Sequence, residues 1–150
     1  MKIKTLVDKT TSFFFKRLSE LIGLALLCLS VLLLTSLISY SPEDPNFIFP
    51  EDAEIKNLLG AKGSYASDIL YQSVGLISLL VPISLFFISL SVIIDKKILH
   101  IIESLFFIIL YSITGTLFFT VFHTETYWLT INGNNGFIGN LFEETFLINL

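Results

Sequence analysis

The chain has 150 residues, of which 53% are apolar and only 15% charged, against about 25% charge in a typical soluble domain. The apolar residues stand in long uncharged blocks rather than periodic stripes, which excludes an ordinary water-soluble globule. One cysteine, Cys28, and nine Lys+Arg against thirteen Asp+Glu further exclude a disulfide scaffold and a nucleic-acid binder.

Residues 1–20 form a basic N-terminal segment whose stretch from Lys9 to Arg17 carries Phe13, Phe14 and Phe15 and suits the inner leaflet of a membrane. Residues 21–40 are then free of charge. About 20 apolar residues at 1.5 Å rise cross a ~30 Å hydrocarbon core, so this block is the first predicted span. It is longer than a signal-peptide core and ends in Ser-Tyr-Ser-Pro, and is read as an uncleaved anchor. A loop over residues 41–68 follows. Residues 69–94 are again uncharged and form the second predicted span, with Pro82 in its middle. After Asp95-Lys96-Lys97, residues 98–122 form a third span interrupted only by Glu103. Three residues between two spans dictate a tight antiparallel hairpin. A second loop covers residues 123–135, and residues 136–150, apolar but containing Glu143 and Glu144, begin a fourth helix that the chain does not complete. The predicted fold is an all-α integral membrane protein, a four-helix bundle with its fourth helix truncated.

Orientation follows from the cations, which are retained on the cytoplasmic side of span ends. Lys2, Lys4, Lys9, Lys16 and Arg17 precede the first span and Lys96 and Lys97 occupy the hairpin turn, so seven of nine cations share one side. Lys56 and Lys62 sit in the first loop among Glu43, Asp44, Glu51, Asp52 and Glu54. The N-terminus and the hairpin turn are therefore predicted to be cytoplasmic and both loops external.

No residue set supports catalysis, and no catalytic, cofactor-binding or metal-binding residue is assigned. Gly60-Ala61-Lys62-Gly63-Ser64 has phosphate-loop residue types in the wrong spacing, and reads as a turn before a helix. His100 and His123 are isolated near opposite ends of the third span and read as interfacial. Glu103, Glu143 and Glu144 lie close enough to span ends to snorkel to the headgroups, which leaves no charge relay across the membrane. Cys28 is a small mid-span hydrophobe. Tyr40, Tyr71, Tyr127 and Trp128 are predicted interface anchors. Gly133, Gly136 and Gly139 recur every three residues, a stripe that either seats a helix closely or loosens a loop.

Three stretches together resemble the N-terminal membrane domain of FtsK/SpoIIIE-type bacterial DNA translocases. Ser39, Tyr40, Ser41, Pro42, Asp44 and Pro45, followed by Asn46 and Phe47, are similar to the signature closing that family's first membrane helix. Asn57, Gly60, Gly63, Ala66, Asp68, Gly75 and Pro82 resemble its approach to the second helix, and Gly133, Gly136 and Gly139 the start of its fourth. Phe47 stands where tryptophan is common, and Asn134-Asn135 interrupt a glycine pair. The resemblance implies a module of the bacterial inner membrane at the division septum that contacts lipid, oligomerises and meets other divisome membrane proteins. It also implies a motor that is absent here, so that the chain is an N-terminal fragment without cofactor and without direct ATP or DNA binding. The rival reading is a small transporter or channel subunit, which needs polar groups near the midplane on broken helices. A lipid-modifying enzyme ranks last, since the loop acids have no partnered base.

Overall fold

A computed structural model describes residues 2–45, 54–96, 98–122, 129 and 132–147 of the chain. Its described elements are all helical: α1 (Lys2–Ile38), α2 (Gly60–Val74), a 3-10 segment (Gly75–Leu79), α3 (Leu80–Asp95), α4 (His100–Phe122) and α5 (Gly136–Phe142), the last running on into one π-helical turn (Glu143–Leu147). Three stretches, Asp8–Ile38, Gly60–Asp95 and His100–Phe122, are long and apolar enough to cross a membrane. α5 is a short fourth helix.

Helix limits differ from the span limits read in the sequence, most of all at the start of the first and second helical stretches. The basic N-terminal segment is helical and runs straight into the first span: with no proline and a single glycine between Lys2 and Ile38, nothing breaks the helix, and α1 runs for 37 residues. At 1.5 Å per residue that is about 55 Å, well beyond a ~30 Å core. α1 ends two residues before the predicted limit, since Pro42 cannot continue a helix and disfavours helical geometry just before it. The second helical stretch starts at Gly60, inside what the sequence assigned to a loop. Its polar residues Ser64, Ser67 and Asp68 are buried against α1 and the chain that follows it, so polarity there marks a packing face rather than solvent.

The interior is inverted relative to a soluble protein. Among the described residues seven apolar side chains besides Pro45 and Pro82 are buried, against fifteen polar or charged ones, while large apolar side chains such as Leu21, Phe87, Phe107 and Phe122 are exposed. This is the distribution that lipid demands: apolar surface gains nothing by leaving acyl chains, and helices associate through small residues that let backbones approach. The buried residues recur at helical spacing. In α4 they are Ile108, Ser112, Thr116 and Thr120, every fourth residue; in α1, Ser19, Gly23, Ser30 and Leu37 follow the same stripe. α1 packs chiefly on α3, and α3 in turn meets α4. A core of Leu85, Ile88, Val92 and Ile108, flanked by Leu26, Leu33 and Tyr111, fills the middle of this stack, and Ser84 Oγ and Tyr111 Oη share a 2.9 Å hydrogen bond across it.

At the hairpin end, α3 closes on Lys96, whose φ of 57° reverses the chain. Ser19 Oγ donates to Lys96 O at 3.2 Å, and Glu20 lies between Arg17 at 2.6 Å and Lys96 Nζ at 2.7 Å.

The α1–α3 contact rests on Gly23, where an added Cβ would come within 2.5 Å of Ile93 Cγ1 and 3.2 Å of Ser89 O. Gly23→Val is expected to destabilise the chain by about 1–3 kcal/mol through overpacking. Leu24→Ala, on the exposed face, is expected to leave the unfolding midpoint in detergent nearly unchanged.

A polar junction of helix ends as the candidate functional site

The end of the bundle opposite Lys96 gathers nearly all the residues singled out in the sequence. Ser41, Pro42 and Glu43 lead into Asp44, whose N–H donates to Ser41 O at 3.2 Å. Proline in the second position of such a turn has its φ already set. The turn sends the Asp44 side chain inward, where it is 1% exposed. Its two carboxylate oxygens accept from Lys56 N at 2.9 Å and Asn57 N at 2.8 Å.

Asn57 carries the clasp onward. Its Nδ2 donates to Ser36 O at 2.9 Å and Ser39 O at 3.3 Å, the carbonyls that the end of α1 leaves without helical partners, and its Oδ1 accepts from Leu59 N at 3.0 Å. Leu58 N donates to Ser39 Oγ at 3.1 Å, and Gly60 N to Asn57 O at 2.9 Å. Every amide from Lys56 to Gly60 is therefore bonded, although no regular element begins before Gly60. Ser36 Oγ donates to Gly63 O at 2.6 Å and Ser64 Oγ to Pro45 O at 3.0 Å, tying the first turns of α2 to both sides of the α1 end. A side chain at Gly63 would overlap the Asn57 carboxamide.

Deeper along α2, Tyr40 Oη donates to Asp68 Oδ1 at 3.2 Å and Tyr71 Oη to Leu37 O at 3.1 Å, with the two rings 4.9 Å apart. Burial, reinforced by the neighbouring Asp68 charge, pushes the Tyr40 phenol well above its ordinary value, so it remains a donor. On the rim, the carboxylate of Glu43 pairs with the Lys56 ammonium, which lowers the one and raises the other.

Gln72 links this half to the loop before α5. Its Nε2 reaches Asp68 at 3.4 Å while its Oε1 accepts from Asn132 Nδ2 at 2.8 Å. The break between α2 and α3 is filled by the same loop. Gly75 has φ 70°, ψ −147°, a backbone state open to glycine alone, and its α face lies so close to Asn134 O that any Cβ would collide. Leu76 N donates to Asn134 O at 2.9 Å, and Thr116 Oγ1 of α4 takes up Val74 O at 3.0 Å. A Cβ on Gly136 would lie 2.5 Å from Gly75 N, and one on Gly139 2.5 Å from Thr120 Oγ1. Asn135 Nδ2 bonds Thr120 Oγ1 at 3.3 Å and Asn140 Oδ1 at 2.9 Å.

Thus Ser39, Tyr40, Ser41, Pro42, Asp44, Pro45, Gly60, Gly63, Asp68, Gly75, Gly133, Gly136 and Gly139 all lie in or beside this junction. Gly133 lies in the turn before α5, its N–H bonded to Leu129 O at 3.1 Å. Pro82 does not join them. It is fully buried in the first turn of α3, just after the 3-10 segment, and borders a groove with Ser30 and Val31. His100 is not isolated, as its Nδ1 lies 3.3 Å from Glu103 Oε2 at the far end of the bundle. Asn46, Phe47, Lys97, His123, Tyr127 and Trp128 lie outside the described residues. Sequence reasoning gave no role to Ser36, Ser64, Gln72, Thr116 or Asn132, nor any chemistry to Asn57. For Ser36, Gln72 and Thr116 the available signal was polarity within otherwise apolar spans, with Ser112, Thr116 and Thr120 repeating every four residues; Asn57, Ser64 and Asn132, in predicted loops, gave none.

Among the described residues no group of three or more His, Cys, Asp or Glu is placed to hold a metal ion. Asp44 and Asp68 are engaged as acceptors of structural donors. What the arrangement does chemically is fasten the ends of α1, α2, α4 and α5 into one unit.

Asp44→Asn replaces one charge-assisted acceptor by a donor facing an N–H, and is expected to cost about 1.5–3 kcal/mol of stability. Gly75→Ala and Gly60→Ala separate two effects. At Gly60, φ is 65° with open space around it, so alanine is expected to cost about 1–2 kcal/mol. At Gly75 the collision with Asn134 O adds to a like strain, and the loss in unfolding free energy is expected to be clearly larger, with both read from denaturant titrations in detergent.

The 4TM region of DNA translocase FtsK/SpoIIIE, as a family model, matches residues 15–149. Over shorter stretches the chain is similar to DNA translocase FtsK of Rickettsia bellii (strain RML369-C), 42% identical over 53 residues, 35% of this chain and 7% of that protein. It is likewise similar to DNA translocase FtsK of Azospirillum brasilense, 38% identical over 68 residues, 44% of this chain and 11% of that protein. The aligned stretches thus cover about a tenth or less of these relatives' length. No solved structure matches the chain. A match over nearly all of its residues, with an all-helical fold of three spans and a short fourth helix, shows that the chain belongs to the family of the FtsK/SpoIIIE 4TM region.

Proposed function

We propose that this chain is the non-enzymatic membrane anchor and interaction module of an FtsK-like translocase, acting at the division septum in cell division and chromosome segregation. The observation that carries the reading is the family match over residues 15–149. The relatives bear the name DNA translocase, and in this proposal the motor that would move DNA belongs to a part of the protein other than these residues. The N-terminus and the Lys96 turn face the cytoplasm, in keeping with the seven cations they hold. The polar junction then lies at the external surface of the bacterial inner membrane. There it presents the loops between α1 and α2 and between α4 and α5 from one fastened base, the form that suits docking to other divisome membrane proteins and to further copies of the chain.

The transporter reading draws less support. Its broken helix is present at Gly75–Leu79, yet the freed Leu76 N–H is taken by Asn134 O, and Gly136 packs against the gap.

Two measurements test the proposal. Cysteines introduced at Ala53 and at Lys97 are expected to react with membrane-impermeant reagent from opposite sides of the inner membrane, Ala53 from outside. A fluorescent fusion of residues 1–150 is expected to collect at mid-cell in dividing bacteria, and uniform membrane fluorescence would contradict the septal role.

A further inference from the structure

A groove of about 410 Å³ runs between α1 and the start of α2, beside the polar junction. Leu29, Leu32 and Leu33 of α1 form one wall, Leu59 and Ala66 the other, and among the described residues Lys62 is the one charged side chain in its lining. Ser36 also borders the groove, but its hydroxyl already donates to Gly63 O at 2.6 Å. Lys62 is therefore the one lining side chain with a hydrogen-bond donor left to give.

The Ser36–Gly63 bond also sets the depth. Ser36 lies four residues, about 6 Å, inside the end of the uncharged run at Tyr40, and Gly63 lies beside it. The Lys62 backbone thus starts below the membrane surface, and its exposed four-carbon stem carries the ammonium back to the level of lipid phosphates. Among the described residues no carboxylate pairs with it. Glu43 is taken by Lys56, Asp44 by two backbone amides, and Asp68 by Tyr40 and Gln72.

Shape and charge select the occupant. From Leu29 to Ser36 the groove follows α1 for ~10 Å, which gives it a mean cross-section of roughly 40 Å², about half of the ~80 Å² that a helix with its side chains fills. A further helix is too wide for it, whereas an extended hydrocarbon chain enters. The loop ahead of α2 holds Glu43, Asp44, Glu51, Asp52 and Glu54 against Lys56 alone. A headgroup with net negative charge therefore gains nothing over one that brings its own cation.

We propose that the groove seats one acyl chain of a zwitterionic phospholipid, with the phosphate held by Lys62 and the ammonium of a headgroup such as ethanolamine turned toward the acidic loop. The phosphate anchors the lipid, and the groove orders its chain.

The test uses the full chain in bilayers of phosphatidylethanolamine and phosphatidylglycerol. A trace of either lipid, or of diacylglycerol, carries a diazirine in one acyl chain. Peptide mass spectrometry gives the photoadducts at Leu32, Leu33 and Ala66 relative to those at Phe107 and Ile109, which are exposed on α4. This ratio is expected to be about threefold higher for phosphatidylethanolamine than for diacylglycerol, the size of a single surface ion pair, and no higher for phosphatidylglycerol. K62Q, at an exposed position, is expected to bring phosphatidylethanolamine down to the diacylglycerol ratio without moving the unfolding midpoint, while K62R keeps the preference. A66L, which narrows the groove, is expected to lower the ratio for every probe. Equal ratios for phosphatidylethanolamine and diacylglycerol, a preference for phosphatidylglycerol, a ratio that K62Q leaves intact, or a groove that no probe reaches because protein covers it would each overturn the proposal.

Discussion

Everything at one end of this molecule hangs on the clasp between Asp44 and Asn57. A chain leaving one membrane helix and entering the next must satisfy its backbone donors and acceptors at the edge of a medium that offers few partners. Here a buried carboxylate takes two consecutive N–H groups and a buried carboxamide takes two terminal carbonyls of α1. With Ser39 Oγ, Asn57 Oδ1 and Asn57 O taking three more, all five amides from Lys56 to Gly60 are bonded ahead of the first turn of α2, and the start of α2 is fixed against the end of α1. Once that contact is set, Tyr40, Tyr71 and Asp68 fall into register along α2, and Gln72 passes the constraint to Asn132 and so to the start of α5.

The same logic accounts for the inverted interior. With lipid outside, burying leucine against leucine gains little, so the contacts that specify the bundle are close backbone approaches and hydrogen bonds from small side chains. Gly23 against α3, Gly139 against Thr120, and Gly75 against Asn134 are three instances at different depths. Serines and threonines do the rest, either by bonding a carbonyl one turn back, as Ser67 and Thr120 do, or by reaching another element, as Ser36 and Thr116 do.

The class of the fold was legible in composition alone, because runs of twenty or more uncharged residues have few other uses. The limits of the helices were less so. Residues 60–68 read as loop since their serines and aspartate look solvated, and only the presence of carbonyls from α1 and Pro45 makes them interior. α1 read as two segments because charge density changes at Leu21, yet helix continuity depends on breakers, and there are none. The junction's residues were found through family resemblance rather than chemistry. Spacing alone does not reveal that Asp44 would meet amides twelve and thirteen residues away, or that Gly75 and Gly136, 61 residues apart, would touch. Gln72 and Asn132 went unnoticed for the same reason: a pairing across 60 residues leaves no local pattern.

For a member of the FtsK/SpoIIIE 4TM family, one fastened end and an apolar flank make mechanical sense: the end keeps its shape while the flank meets lipid. The central claim is that residues outside any α-helix at this end are held as firmly as the α-helices. Hydrogen exchange of the chain in detergent micelles, resolved to single amides by fragmentation, tests it directly. The amides of Lys56, Asn57, Leu58 and Leu76 are expected to exchange as slowly as those in the middle of α1. Exchange at the rate of an unstructured loop would contradict the account.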